Sequence, residues 1–103
     1  MAVRDYSPWT GSDLHLRMRA KSIDTIVVTG GETDVCVLAT VLGAVDWGFR
    51  VVLMTDAICS SADETHDSMM TIYANRFGQQ VECVTTETLL AAWPGGTRTG
   101  LLP

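Results

Sequence analysis

Two apolar runs that do not alternate, Ile26-Val27-Val28 and Val51-Val52-Leu53-Met54, bracket a stretch in which Val37, Leu38, Val41, Leu42 and Val45 recur at helical intervals. Unbroken runs of this kind read as strands covered on both faces, so Thr25–Thr29 and Arg50–Thr55 are predicted strands. The helix between them has Thr33 or Asp34 available as a cap and stops near Gly48, which makes a β-α-β crossover and hence a parallel pair. Upstream, Ser12 or Thr10 can cap a short helix over Asp13–Lys21 whose Leu14, Met18 and Leu16 face inward. Downstream, Ser61-Ala-Asp-Glu64 has capping-box spacing, and Met69, Met70, Ile72, Tyr73 and Phe77 follow at helical intervals up to Gly78. A third strand is predicted over Gln80–Val84. A last helix starts at Thr85 or Thr86 and runs through Leu89, Leu90 and Trp93, until Pro94 and two glycines end it. The order α-β-α-β-α-β-α is that of a three-layer α/β/α fold with a parallel sheet.

A sheet of three parallel strands is thin, since about five or six strands are usual. An uncovered Ile-Val-Val strand leaves ladder N–H and C=O groups free to pair with another chain. The expectation is a chain that dimerises, aggregates or belongs to a longer original, such as a shortened reading frame. With 103 residues, 47% of them hydrophobic, there is material for one core and not for two. The formal charge of -5, with Lys and Arg scattered, argues against nucleic-acid and acidic-membrane partners and for a small molecule or a protein. No apolar stretch is long enough to span a bilayer and the first residues lack a signal-peptide segment, so a cytoplasmic location is expected. Cys36, Cys59 and Cys83 are odd in number and widely spaced, which suits reduced thiols better than disulfides or zinc knuckles.

Cys36 is the position where chemistry is expected. It stands in Thr29-Gly-Gly-Glu-Thr-Asp-Val-Cys-Val37, between a predicted strand and a predicted helix. The unpaired N–H groups and positive dipole end of a helix start favour the thiolate, the form that attacks carbonyls. Composition alone points the other way, because cysteine is among the most buried residue types. Cys59 and Cys83 are given that packing role.

The segment Thr29–Thr40 together with Asp46-Trp-Gly-Phe-Arg-Val-Val-Leu-Met-Thr-Asp-Ala57 resembles the isochorismatase-like cysteine hydrolases, which include nicotinamidases, N-carbamoylsarcosine amidohydrolases and ureidoacrylate hydrolases. The likeness runs from about Tyr6-Ser-Pro-Trp9 to Leu90 and covers the second half of the family's domain. It implies a Rossmann-like, isochorismatase-like half-domain over residues 1–94, followed by a flexible tail over 95–103. Its Gly-x-x-Thr-x-x-Cys-Val turn is fairly specific.

The resemblance maps the nucleophile of a Cys-Asp-Lys triad onto Cys36. The aspartate falls on a strand upstream of Met1, and Val3 occupies the place of the lysine. Arg4 beside it is fixed in its charged form and is a poor substitute. The metal-binding aspartate and histidines of nicotinamidases have no match, so no cofactor or metal is expected, and neither His15 nor His66 corresponds to them. The family also implies a cis peptide at Gly31–Glu32, oxyanion-holding N–H groups at Glu32 and Cys36, and an aromatic bordering the pocket at Trp9. Each has a plainer reading. The Glu32 carboxylate either contacts substrate or points to solvent, Trp9 either borders substrate or covers the sheet, and Asp56 is explained by loop bonding as well as by a ligand. His66 is expected to make a local hydrogen bond, and His15 to lie at the surface. The resulting expectation is a hydrolase of a small-molecule amide or ureido C–N bond, impaired alone for want of the Asp and Lys. The rival is a non-catalytic module that completes its sheet as a homo-oligomer or with a complementing chain.

Overall fold

Apolar periodicity and backbone chemistry together delimit the elements of the computed structural model, which describes residues 6–93. Helix α1 spans Leu14–Ala20, β1 Thr25–Gly31, α2 Cys36–Asp46, β2 Arg50–Cys59, α3 Asp63–Arg76, β3 Val81–Val84 and α4 Thr86–Ala92. The expected stop at Pro94, the expected tail over 95–103 and positions Val3 and Arg4 lie outside the described residues. Gly48, at φ 85°, closes α2 in a Schellman arrangement: its N–H reaches Val45 O at 2.9 Å and the Phe49 N–H reaches Ala44 O at 2.9 Å. At α4 the expected cap is in place, since Thr85 accepts from the Thr88 N–H at 3.2 Å.

The three strands form one parallel sheet in the order β1-β2-β3. Helices α2 and α3 pack on one face, where Val41, Ala44, Val51, Leu53 and Tyr73 are fully buried. Helix α4 lies on the other face, where it lines a groove with Val27, Val52 and Val84. Strand β2 is covered on both faces, as its unbroken apolar run predicts. Strand β1 is not, because α4 leaves Val27 37% exposed. Among the described residues β1 pairs only with β2, so one long side of it is an open edge.

Several local expectations are corrected. Strands β1 and β2 are both longer than their apolar runs, because Gly30 and Gly31 pair with Ile58 and Cys59 after a register shift beyond Val28. Neither Thr33 nor Asp34 caps α2, whose N-cap is Val35, and the Ser61/Glu64 capping box does not form, since the N-cap of α3 is Ala62. The side chains of Thr33, Asp34 and Ser61 are engaged across the fold instead. Leu16, expected inward, is 60% exposed, while Leu14 and Met18 do meet the core. No helix among the described residues is long and apolar enough to cross a membrane.

Trp9 is buried across α2. Its ring stacks on Phe49 at 5.6 Å and its Nε1–H donates to Thr40 O at 3.0 Å. Gly43 makes this approach possible, because a Cβ there would sit 2.2 Å from Trp9 Cδ1. In an open helix Gly→Ala gains about 0.5–1 kcal/mol, whereas overpacking a fixed core costs about 1–3 kcal/mol. Gly43→Ala is therefore expected to destabilise the chain, read as a lower urea midpoint. An unchanged or raised midpoint would show that the indole shifts without cost.

Candidate active site around Cys36

The turn that carries the thiol begins where β1 ends. Gly30 has φ 108°, a conformation glycine tolerates, and Gly31 lies against Cys59, so that a Cβ on Gly31 would be 3.0 Å from Cys59 O and 3.3 Å from its sulfur. The Gly31–Glu32 peptide is cis, at the position the resemblance implies. Glu32 O then accepts from the N–H groups of Val35 at 3.1 Å and Val37 at 3.0 Å, and α2 starts at Cys36. Among the described residues the N–H groups of Glu32 and Cys36 donate to no acceptor.

Cys36 is half-buried and lines a groove of about 230 Å³ together with Val27, Val28, Thr29, Gly31 and Thr40. The groove runs between α2 and β1 and carries no charged side chain. Thr40 Oγ1 donates to Cys36 O at 2.8 Å and so ties the first turn of α2 to itself. Helix start, sulfur and uncharged groove thus coincide.

Thr33 anchors the turn from below. It is 0% exposed, and each of its polar groups has a partner on another element. Its N–H donates to Cys59 O at 3.0 Å, its O accepts from the Tyr73 hydroxyl at 2.8 Å, and its Oγ1 shares a hydrogen bond with His66 Nδ1 at 2.7 Å. Burial, reinforced by the nearby Asp34 and Cys83, pushes the Tyr73 phenol well above its ordinary range, so it stays a neutral donor.

The two carboxylates beside Cys36 turn toward the β2–α3 loop. Glu32 Oε1 accepts from the Ser61 N–H at 2.8 Å, from Ser61 Oγ at 2.7 Å and from Ser60 Oγ at 3.4 Å, bonds that hold its pKa below the ordinary value. Asp34 Oδ1 accepts from Ser60 Oγ at 2.9 Å, and that bond lowers its pKa likewise. The Glu32 side chain is thus a clasp to a loop, and neither carboxylate lines the Cys36 groove.

The other singled-out residues lie apart from the sulfur. Trp9, set by the resemblance at the pocket border, is absent from the groove lining and is tied to it through the carbonyl of Thr40. Asp56 Oδ1 accepts from Thr86 N at 2.9 Å and Thr86 Oγ1 at 2.8 Å, which joins β2 to the start of α4 and depresses its pKa. His66 makes a bond to a residue 33 positions away, not the local one expected. His15 stacks on Trp47 with ring centroids 3.6 Å apart. Cys83 is half-buried with its thiol pKa raised by burial, whereas Cys59 is exposed rather than packed inside. No group of three or more His, Cys, Asp or Glu among the described residues is placed to hold a metal ion. Sequence reasoning missed Thr33 as a buried hub; its place three residues before Cys36 in the turn motif was the available signal.

Comparison with known proteins finds the isochorismatase domain model matching residues 3–87. The isochorismatase family protein PncA of Bacillus subtilis (strain 168) is 38% identical over 76 residues, covering 74% of this chain and 42% of that protein. The isochorismatase-like hydrolase from Alkaliphilus metalliredigens superimposes with a TM-score of 0.79 at 27% identity, over 89% of this chain and 49% of its own. The nicotinamidase/pyrazinamidase PncA from Bacillus subtilis does so with a TM-score of 0.70 at 34% identity, over 80% of this chain and 45% of its own. The chain spans less than half the length of the curated relatives it matches.

The Glu32 clasp has a pH signature. A depressed pKa in the folded state contributes stability that is present above the unfolded value, ordinarily near 4.5 for this group, and is lost as pH falls through the lower folded value. Glu32→Gln is expected to lower the melting temperature at pH 7 and to converge on the unaltered chain below pH 4.5. A difference that stays constant as the solution is acidified would mean that the carboxylate charge contributes nothing to the clasp.

Proposed function

The chain belongs to the isochorismatase family, and from that premise we propose that it is the thiol-bearing part of a cysteine hydrolase acting on the C–N bond of a small amide or ureido substrate. The observation that carries the reading is Cys36 as the first residue of α2, in a groove, with two N–H groups nearby that donate to no acceptor among the described residues. In this reading the Cys36 thiolate attacks the carbonyl carbon and the π electrons move to oxygen. The N–H groups of Glu32 and Cys36 donate to that oxyanion, the C–N bond breaks as the nitrogen leaves with a proton, and water hydrolyses the thioester. Trp9 contributes by holding Thr40, and with it the wall of the groove.

Proton transfer is the part this chain supplies least well. The resemblance maps the family's lysine onto Val3, and the strand that carries the family's aspartate is not among these 103 residues. Triad members act as a unit, and losing them leaves about 10³–10⁴-fold catalysis over water from the oxyanion site and binding. Nicotinamide and pyrazinamide are suitable trial substrates, since a structural neighbour is a nicotinamidase/pyrazinamidase. Ammonia release by the chain alone is expected to run several orders of magnitude below an intact relative, with Cys36→Ala abolishing the remainder. Turnover matching an intact relative and lost in Cys36→Ala would overturn the impairment, while residual turnover that survives Cys36→Ala would overturn the nucleophile.

A second reading is favoured by the open side of β1. Edge strands are usually guarded by charge, proline or cover, yet the β1 groove is uncharged and Val27 is exposed. We infer that the sheet is completed along this edge by a second copy or by a complementing chain. Size exclusion with light scattering of the purified chain is expected to give a dimer or larger species that Val27→Lys shifts toward monomer. A monodisperse monomer at micromolar concentration rules out self-pairing.

A further inference from the structure

We propose that Thr33, Tyr73 and His66 form a positioning clamp that holds the Glu32 N–H where it meets the oxyanion, so that α3 sets the geometry of a site it does not line. The inference rests on the Cys36 reading above and assigns work to three residues which that reading leaves unused. The peptide unit joining Glu32 to Thr33 is fixed at both ends. Its oxygen accepts from Val35 and Val37, and its N–H donates to Cys59 O. Immediately beyond it, the Thr33 hydroxyl and carbonyl are bonded to His66 and Tyr73.

These bonds are more than packing requires. Valine would fill the same volume, and a buried hydroxyl costs free energy unless it is bonded. Thr33 is the one buried polar residue among those described, and all of its partners lie on β2 or α3. On α3, His66 shares a face with Met69 and Tyr73, which are buried in the core, so both partners of Thr33 are referenced to the rigid centre of the fold. An oxyanion donor displaced by a fraction of an ångström loses much of its effect, because its contribution depends on being in place before the charge develops.

The test separates reactions that form an oxyanion from one that does not. With p-nitrophenyl acetate, the Cys36 sulfur attacks the acyl carbon, a tetrahedral oxyanion forms and collapses, p-nitrophenolate leaves and an acetyl thioester remains. With iodoacetamide, the same sulfur displaces iodide directly and no oxyanion arises. Both rates are read on the full chain by mass spectrometry of the Cys36 peptide, which sets Cys59 and Cys83 aside, and their ratio reports the oxyanion donors.

Thr33→Val and Tyr73→Phe are expected to lower acylation roughly tenfold, with alkylation changed less than about twofold. Thr33→Ser, which keeps the hydroxyl, is expected to retain the ratio of the unaltered chain. Should the buried variants fail to fold, His66→Gln at the half-buried position carries the same expectation. An unchanged ratio in the folded variants, or two rates falling in parallel, overturns the clamp alone. A ratio in the unaltered chain no higher than that of free N-acetylcysteine overturns the oxyanion site and the clamp with it.

Discussion

The pairing of Gly30 and Gly31 with Ile58 and Cys59 is the constraint on which the site depends. It carries two strands past the end of their apolar runs, where Ile58 is the buried hydrophobic residue that remains. Glycine suits both places, since Gly30 sits at φ 108° and a Cβ on Gly31 would crowd Cys59 O at 3.0 Å. Once that pairing forms, Cys59 O meets the Thr33 N–H, the Ser60-Ser61 loop meets Glu32, and α3 arrives with Tyr73 and His66 facing Thr33. The turn is therefore built by a distant segment rather than by its own residues. Its local bonds are those from Val35 and Val37 to Glu32 O, from Ala39 to Val35 O and from the Thr40 hydroxyl to Cys36 O.

That division explains what the sequence disclosed. The strands, the helix between them and its stop at Gly48 follow from local rules, namely burial of Val51 to Met54, helical spacing of Val37 and Val41, and a glycine at positive φ. Cys36 was legible for the same reason, lying between a readable strand and a readable helix. Thr33, Asp34 and Ser61 were read as caps because local rules give small polar residues before a helix that role. All three instead bond partners 26 or more residues away, and no periodicity encodes such pairings. Trp9 shows the opposite case. Its burial against Gly43 depends on the absence of one methyl group on another helix, and neither residue announces that contact locally.

The two faces of the sheet differ in how completely they are built. The α2–α3 face is closed by fully buried Val41, Ala44, Val51, Leu53 and Tyr73, and it holds the turn. The α4 face shields Val52 and Met54 but leaves Val27 open. Because the helices supporting the Cys36 turn belong to the closed face, the thiol and its flanking N–H groups can be preorganised within this chain, while in the proposed reading a second copy or complementing chain supplies the wall of the groove beyond β1. Nucleophile geometry and substrate enclosure are thus separable in this fold.

The same architecture decides whether a nearby carboxylate can stand in for the proton relay. Glu32 and Asp34 are the nearest acids to Cys36 in sequence, and proximity alone would nominate either as a base. Their geometry argues against it. Glu32 Oε1 already accepts from Ser61 and Ser60, and Asp34 from Ser60, so both pKa values are depressed. A carboxylate with a lowered pKa is a weaker base, and neither side chain lines the groove in which a substrate would meet the sulfur. His66, the remaining candidate, has its Nδ1 engaged by Thr33. In the proposed reading the carboxylates that fix the turn are thereby not the proton relay for Cys36, and the open edge of β1 is the side from which one can be supplied.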